Sequence, residues 1–326
     1  MPSLLVCGAI NWDTCFFVER LPSPGEEVRV KGISRVSGGT GANVAVAAAR
    51  ILGPGEVALV GALGQDELAQ RQLAALEKEG VVTQQIKLLP GRESGQAYIL
   101  IEESGQNLIA SYLGANAALH PEHLPGAADL ISGCQGIVLT DPPLDVAAAI
   151  LDLAKQNRTP VLWDPGILIE AGPERLKELL KQVDTLFLNE SEAAALLSTS
   201  EPGTALRQLR AGRLRQTVLK LGGRGAALLE PMTGEVTQIP TLPLEKLGLK
   251  AVNTVGCGDA FVGVFAAYRA LGAKPKEALI MASIAAGLNA AQSETRGSPH
   301  RKDLEQAARR AQEIGFASSS LERGLS

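Results

Sequence analysis

Short apolar runs alternate with helical patterns from the first residues onward. Leu4–Ile10, Val57–Val60, Gly136–Leu139, Val161–Trp163, Thr185–Leu188 and Gln216–Leu219 read as strands, being short and apolar throughout. Between them, Ala42–Leu52, Glu67–Glu79, Val146–Gln156 and Leu176–Lys181 read as helices. Strands that are apolar on both faces and separated by helices predict a mostly parallel sheet covered on both sides. The C-terminal third is predicted mostly helical, apart from a hairpin at Ala226–Glu230 and Val236–Ile239 with Thr233-Gly234 in its turn.

Two stretches break the alternation. Thr14–Val18 with Glu27–Val36, and Gln96–Glu102 with Leu108–Leu113, are strand-like without intervening helices. Their turns hold Pro22-x-Pro24-Gly25 and Ser104-Gly105-Gln106-Asn107. Such strands predict a small projecting sheet, serving as a lid over a cleft, as an edge or dimer contact, or as both. His120-Pro-Glu-His123 reads as the first turn of a short helix with Pro121 at its start, rather than as a metal pair. The last dozen residues, rich in Ser and Arg, read as a tail.

Asn253-Thr-Val-Gly256-Cys257-Gly258-Asp259 is the most informative segment. Its two glycines permit a sharp turn, and Ala260–Leu271 beyond them read as a buried helix. Unpaired N–H groups and the positive end of the helix dipole make such a turn an anion site. Asp259 beside that anion suggests a base that deprotonates a hydroxyl during phosphoryl transfer. The alternative is an acidic residue that merely complements the dipole. Gly-x-x-x-x-Gly-Lys-Ser/Thr occurs nowhere, and Phe261 stands where a dinucleotide fingerprint needs its third glycine.

Four other segments carry candidate chemistry. Asn11 and Asp13 follow the first strand, where ligands of open parallel sheets sit, although both residue types also form ordinary turns. Ser37-Gly38-Gly39-Thr40-Gly41-Ala42-Asn43 opens a helix with more glycine than a cap requires, which lets a ligand approach the backbone. Asn189-Glu190-Ser191-Glu192 follows a strand. There Asn189 caps a helix naturally, while Asn189 and Glu192 could also hold a hydrated Mg²⁺. Lys220-Leu-Gly222-Gly223-Arg224-Gly225 has the form of a phosphate-approach turn or of an ordinary strand connection.

Composition narrows the classes. The 326 residues are 45% hydrophobic, enough for one large core or two modest ones. A net charge of −4 without long single-sign blocks argues against nucleic acid or an anionic membrane as partner. Aromatic residues make up 3%, so platforms for stacking bases are scarce. No apolar run approaches about 18 residues, and the N-terminus lacks the charged start of a signal segment. The expectation is a soluble cytoplasmic protein. Cys7, Cys15, Cys134 and Cys257 are scattered, which speaks against zinc and disulfides. Cys257 reads as a small filler, although its place at a helix N-terminus would lower a thiol's pKa.

Taken in order, these segments resemble the ribokinase-like carbohydrate kinase family from Gly8 to about Pro299. The succession includes Gly114-Ala-Asn116 with its following Leu119, and the pairing of Gly38-Gly39-Thr-Gly-Ala-Asn43 with the Asp259 motif is the most specific part. The resemblance implies an α/β fold, a doubly wound, mostly parallel sheet with helices on both faces plus a small β-sheet lid. Residues 1–12, 37–93 and 114–326 are then the core, and 13–36 and 94–113 the lid. It implies an ATP-dependent kinase that phosphorylates a hydroxymethyl group of a small sugar. Asp259 is its base, and Gly256, Cys257 and Gly258 form its anion hole. Asn11, Asp13, Gly39, Thr40, Asn43 and Asp141 fall at the acceptor, Lys220, Gly222, Gly225 and Asn189 at the nucleotide. Asn189 and Glu192 fall at Mg²⁺, through water. A nucleoside kinase of the same fold is the alternative, and a non-catalytic sensor a third reading.

The chain departs from ribokinases at several of these positions. Thr40 replaces a Lys, Asp141 a longer Glu, and Trp163-Asp164-Pro165-Gly166 an Asn-Pro pair. Ribose itself is therefore not assigned as the acceptor. Asn253 stands where many members carry the Asp of a K⁺ site, and Gly297-Ser-Pro299 is shorter than usual. Weak or absent K⁺ activation is expected. A homodimer through the lid is also compatible with the pattern.

Overall fold

The computed structural model describes residues 1–103, 106–171, 173–197, 204, 216–230 and 234–316. Ser104, Gly105 and Thr233 of the expected turns, and nearly all of the expected tail, lie outside the described residues. The strands in the first half are β1 (Leu4–Gly8), β2 (Asn11–Val18), β3 (Val30–Gly38), β4 (Val57–Gly64), β5 (Ile86–Leu89), β6 (Gly95–Glu102) and β7 (Asn107–Tyr112). In the second half they are β8 (Gly136–Thr140), β9 (Val161–Asp164), β10 (Thr185–Asn189), β11 (Gln216–Lys220), β12 (Ala226–Glu230) and β13 (Glu235–Ile239). The α-helices up to β11 are α1 (Thr40–Leu52), α2 (Glu67–Lys78), α3 (Pro125–Ile131), α4 (Leu144–Asn157), α5 (Pro173–Leu180) and α6 (Glu190–Leu197). After the hairpin come α7 (Cys257–Ala270), α8 (Pro275–Ala290) and α9 (Arg301–Glu313).

Nine strands form one sheet in the order β13-β12-β11-β10-β9-β8-β1-β4-β5. It is parallel from β11 to β5, and only the β11–β12–β13 edge runs antiparallel. Alternation along each strand feeds two separate cores. Leu4 and Val6 of β1 pack with α1, α7, α8 and α9, whereas Leu5 and Cys7 pack with α3 to α6. This is the predicted sheet with helices on both faces.

A second sheet has the order β3-β2-β6-β7. Its outer pairs are antiparallel, while β2 and β6 run parallel from Asn11↔Gly95 to Val18↔Glu102. The stray strands of the sequence therefore do form a small separate sheet. No helix among the described residues is long and apolar enough to cross a membrane.

Several boundaries differ from expectation. The first strand ends at Gly8, not Ile10, and Asn11 and Asp13 open β2 instead of trailing β1, because pairing with β3 and β6 begins at residue 11. β3 covers Val30–Gly38 rather than 27–36, because β2 ends at Val18, opposite Val30, and Glu27 lies beyond its end. The helix of the Asp259 motif begins at Cys257 rather than Ala260, so Gly258 and Asp259 belong to its first turn. The short β5 gave no signal in the pattern. His120–His123 became a single 3₁₀ turn, in which His123 Nδ1 accepts the His120 N–H at 3.0 Å.

Candidate active site

Parallel strands deliver their carboxyl ends to one edge, and the candidate residues collect there. β8 leads into Asp141, β9 ends at Asp164, β10 at Asn189 and β11 at Lys220. Against the same edge, α7 presents its N-terminus. α1 and α7 cross closely because Gly263 has no side chain: a Cβ there would lie 2.5 Å from the Val44 carbonyl. That approach sets Asn43, in the first turn of α1, beside Asp259 in the first turn of α7.

Asn43 Nδ2 donates to Asp259 Oδ2 at 2.8 Å. Its Oδ1 accepts from Arg296 Nε at 3.0 Å, and Arg296 Nη1 donates to Ser37 Oγ at 2.8 Å. The carboxamide is thereby oriented with its donor on the acid. Burial pushes the Asp259 carboxyl up to about 6, against the lowering effect of the Asn43 hydrogen bond. Burial also raises Asp13 to about 7, partly offset by Arg296. Asp141 rises to about 7 through burial and then through the Asp164 charge, although Thr40 Oγ1 donates to its Oδ2 at 3.1 Å. Asp141 also adopts φ +51°, a strained conformation for a residue with a side chain. Asn11 Oδ1 accepts from Asn116 Nδ2 at 2.9 Å, and Asn116 further bridges the N–H and C=O of Ile10 at 2.9 and 3.0 Å. Gly39 immediately precedes α1, with φ +91°.

The other half of the site is built on backbone. Gly256 turns into α7 with φ +77°, and a Cβ there would fall 1.9 Å from the Thr295 carbonyl. Among the described residues, no protein group accepts the N–H groups of Gly256, Gly258 and Asp259. The Cys257 N–H, by contrast, reaches the Thr254 carbonyl at 3.3 Å. The open amides are therefore 256, 258 and 259 rather than 256 to 258. The Cys257 thiol is raised by burial, so the lowering expected from the helix N-terminus is overridden.

A cavity of about 350 Å³ starts at Cys257 and Gly258 and runs along Lys220, Gly222, Gly223 and Gly225 to Phe261, Ala286 and Ala290. Among the described residues, and apart from the chain neighbours and the backbone of its own helix, the only atom within 4 Å of a Cβ built on Gly258 is Lys220 Nζ, at 3.9 Å. Lys220 is ion-paired with Asp164, whose Oδ1 is buried without a hydrogen-bond partner among the described residues. Its ammonium is held above the usual range by the charges of Asp164 and Glu192, which outweigh its burial. Asn189 and Glu192 form a reciprocal cap: Glu192 Oε2 accepts the Asn189 N–H at 2.7 Å, and Asn189 Oδ1 accepts the Glu192 N–H at 2.8 Å. The Asn189 carbonyl oxygen is thus committed to the helix, and Glu192 is the member of the pair whose charge reaches Lys220.

A family model described as pfkB family carbohydrate kinase matches residues 1–303. The chain belongs to that family. It is a carbohydrate kinase, a phosphotransferase acting on an alcohol group. Ribokinase of Schizosaccharomyces pombe is 29% identical over 296 residues, covering 87% of this chain and 90% of that protein. The ATP-dependent ribose-1-phosphate kinase of Halopiger xanaduensis is 29% identical over 301 residues, 92% of this chain and 95% of that one. Among solved structures, Arabidopsis thaliana ribokinase complexed with ribose and ATP aligns with a TM-score of 0.82 at 27% identity. That match covers 94% of this chain and 98% of the other.

The structure adds site residues to this kinase that the sequence reading gave no role. Arg296 stands alone between Thr295 and Gly297, and nothing local marks it as the partner of Asn43, more than 200 positions away. Asn116 lay inside the Gly114-Ala-Asn116 motif, which was itself the available signal. Asp164 stands out in the sequence as a departure from the family, but its ion pair with Lys220 follows only from the adjacency of β9, β10 and β11. Gln72, wholly buried, joins α2 to the site by donating to the Asn11 carbonyl and accepting from Ser37 Oγ.

Proposed function

We propose that this enzyme transfers the γ-phosphoryl group of ATP to the hydroxymethyl group of a small sugar, with Asp259 as general base. The observation that carries the reading is the 2.8 Å hydrogen bond from Asn43 to Asp259. It brings the acceptor-side motif and the anion-side helix into direct contact. Asp259, at about 6, is largely ionised at neutral pH yet still basic enough to take a proton from a hydroxyl as its oxygen attacks phosphorus. The new P–O bond forms as the bond from the γ-phosphorus to the β,γ-bridging oxygen breaks, and ADP leaves. The open amides of 256, 258 and 259 and the Lys220 ammonium then face the charge on the transferring group. Asp13, Asn11, Thr40 and Asp141 offer acceptors and donors for the sugar's other hydroxyls.

Nucleotide placement is supported by the 350 Å³ cavity, whose glycine rim and small apolar floor suit a phosphate chain and a base. The donor set also fits Mg²⁺, since Glu192 and the unpartnered Asp164 Oδ1 supply hard oxygens near Lys220. No compact group of three or more His, Cys, Asp or Glu ligands exists among the described residues, so the ion would keep most of its waters. Bound there with the nucleotide, it supplies charge neutralisation for the phosphates. The small sheet acts as a lid, with Asn11 and Asp13 at the base of β2 and its apolar cluster against Val255. All six residues of its edge strand β7 are exposed, which favours pairing of two copies into a dimer. Sedimentation at twice 34.0 kDa is the expected result.

The functional reading is tested by ADP release with ribose, fructose, 2-keto-3-deoxygluconate, adenosine and cytidine. Turnover with a free sugar and none with nucleosides is expected. Preference for a nucleoside would replace the sugar assignment.

A further inference from the structure

The loop that leads into the anion hole is gripped by two buried carboxamides with no assigned part in the reaction. Asn253 is 4% exposed and Asn289, near the end of α8, is 1% exposed. Asn253 Oδ1 accepts the Val255 N–H at 3.0 Å, while its Nδ2 donates to the Ser293 carbonyl at 3.1 Å. Asn289 Nδ2 donates to the Val255 carbonyl at 3.2 Å and lies 3.4 Å from Cys257 Sγ. Both backbone polar groups of Val255 are thus fixed by side chains. Its own side chain packs on the lid cluster of Cys15, Ala97, Ile99 and Ile101. Gly256, whose amide opens the anion hole, follows directly.

We infer that Asn253 is a positioning residue for phosphoryl transfer, its carboxamide fixing the direction of the 256–259 amides without a monovalent cation. The inference rests on reading those amides as the anion hole. One accepted and one donated hydrogen bond are needed at this position, and a carboxamide provides both. A carboxylate would still accept from Val255 but would meet the Ser293 carbonyl oxygen against oxygen. Relieving that contact takes a cation between the two oxygens. Asn253 supplies the positive partner covalently, as an N–H. Two nearby buried oxygens without partners among the described residues, Asn289 Oδ1 and Thr295 Oγ1, carry no formal charge, and the Asn253 N–H already occupies the side of the Ser293 carbonyl where a cation would bridge. The residues therefore do not fit a K⁺ site, and the clamp takes its place.

The test compares wild type, Asn253→Asp and Asn253→Ala in NaCl and in KCl. Wild-type turnover should be equal in the two salts. Asn253→Asp should lower kcat about tenfold in Na⁺, the effect of roughly one misplaced buried hydrogen bond, with little change in the KM for sugar. K⁺, more readily stripped of water, should restore most of that loss. Asn253→Ala should lose kcat in both salts without rescue. Hydrogen exchange across residues 253–260 gives a readout independent of any acceptor. Asn253→Asp should exchange faster than wild type in Na⁺ and recover in K⁺. Failure of every acceptor in the panel would count against the functional reading alone, because exchange still reports on the clamp. Severalfold K⁺ activation of wild type, unchanged exchange in Asn253→Asp, or equal losses in kcat, KM and melting temperature without rescue would overturn the proposal.

Discussion

The half of the candidate site proposed for the acceptor carries buried carboxyls, whereas the half proposed for the nucleotide is lined largely by glycines and small apolar residues. In the first, Asp13, Asp141 and Asp259 are all raised by burial, and each is held by or near a fixed partner: Arg296, Thr40 and Asn43. In the second, Gly222, Gly225 and Gly258 share a wall with Ala251, Ala286 and Ala290. Hydroxyl geometry is read by directed polar groups, so on the proposed reading specificity resides on the acceptor side. Phosphates need N–H groups and room, so the nucleotide side depends on what is missing from it. The two halves should therefore fail differently when altered.

The largest effect is expected where they meet. Asp259→Asn should lower kcat about a thousandfold, the range for loss of a positioned base, while sugar binding measured by calorimetry survives. Next is a change confined to the nucleotide half. Gly258→Ala adds a methyl group facing the cavity, where Lys220 Nζ, 3.9 Å away, is the nearest described atom beyond its own helix. It should cut kcat about a hundredfold by blocking the anion, with an unchanged melting temperature. The neighbouring Gly256→Ala should instead destabilise the fold by about 1–3 kcal/mol, since φ is positive there and the Thr295 carbonyl occupies the Cβ position. The smallest effect falls on the acceptor side alone. Asp141→Asn, which leaves Thr40 without its carboxylate, should raise the sugar KM about tenfold and leave the nucleotide KM unchanged. A nucleotide KM that moved with it would mean that the halves are not separable.

Much of this was legible in the sequence, because the informative motifs are local. Glycine turns before apolar helices placed Asp259 and Asn43, and strand–helix alternation placed the edge on which they meet. In sequence, Ala9 and Ile10 extend the apolar run of the first strand and so place positions 11 and 13 at its end. Only pairing with β3 and β6 reveals that a new strand starts there. Arg296, Asp164 and Gln72 were illegible for another reason. Each acts through a partner dozens to hundreds of residues away, across strands or helices whose adjacency is a property of topology. Asn253 was visible as a substitution, but its two hydrogen bonds depend on where the 293–295 loop returns.

The central claim is that a buried, raised carboxyl at position 259 serves both halves as the base. The pH dependence of kcat/KM for the sugar tests it most directly, with Asp259→Asn measured alongside. The base works when ionised, and burial sets its ionisation at about 6, with Asp13 and Asp141 following at about 7. The rate should therefore rise with increasing pH through about 6 and level off above neutrality. The limb at 6 should be missing from the residual activity of Asp259→Asn. A wild-type profile that is flat from pH 5 to 8, or a variant that keeps the same limb, would contradict the account.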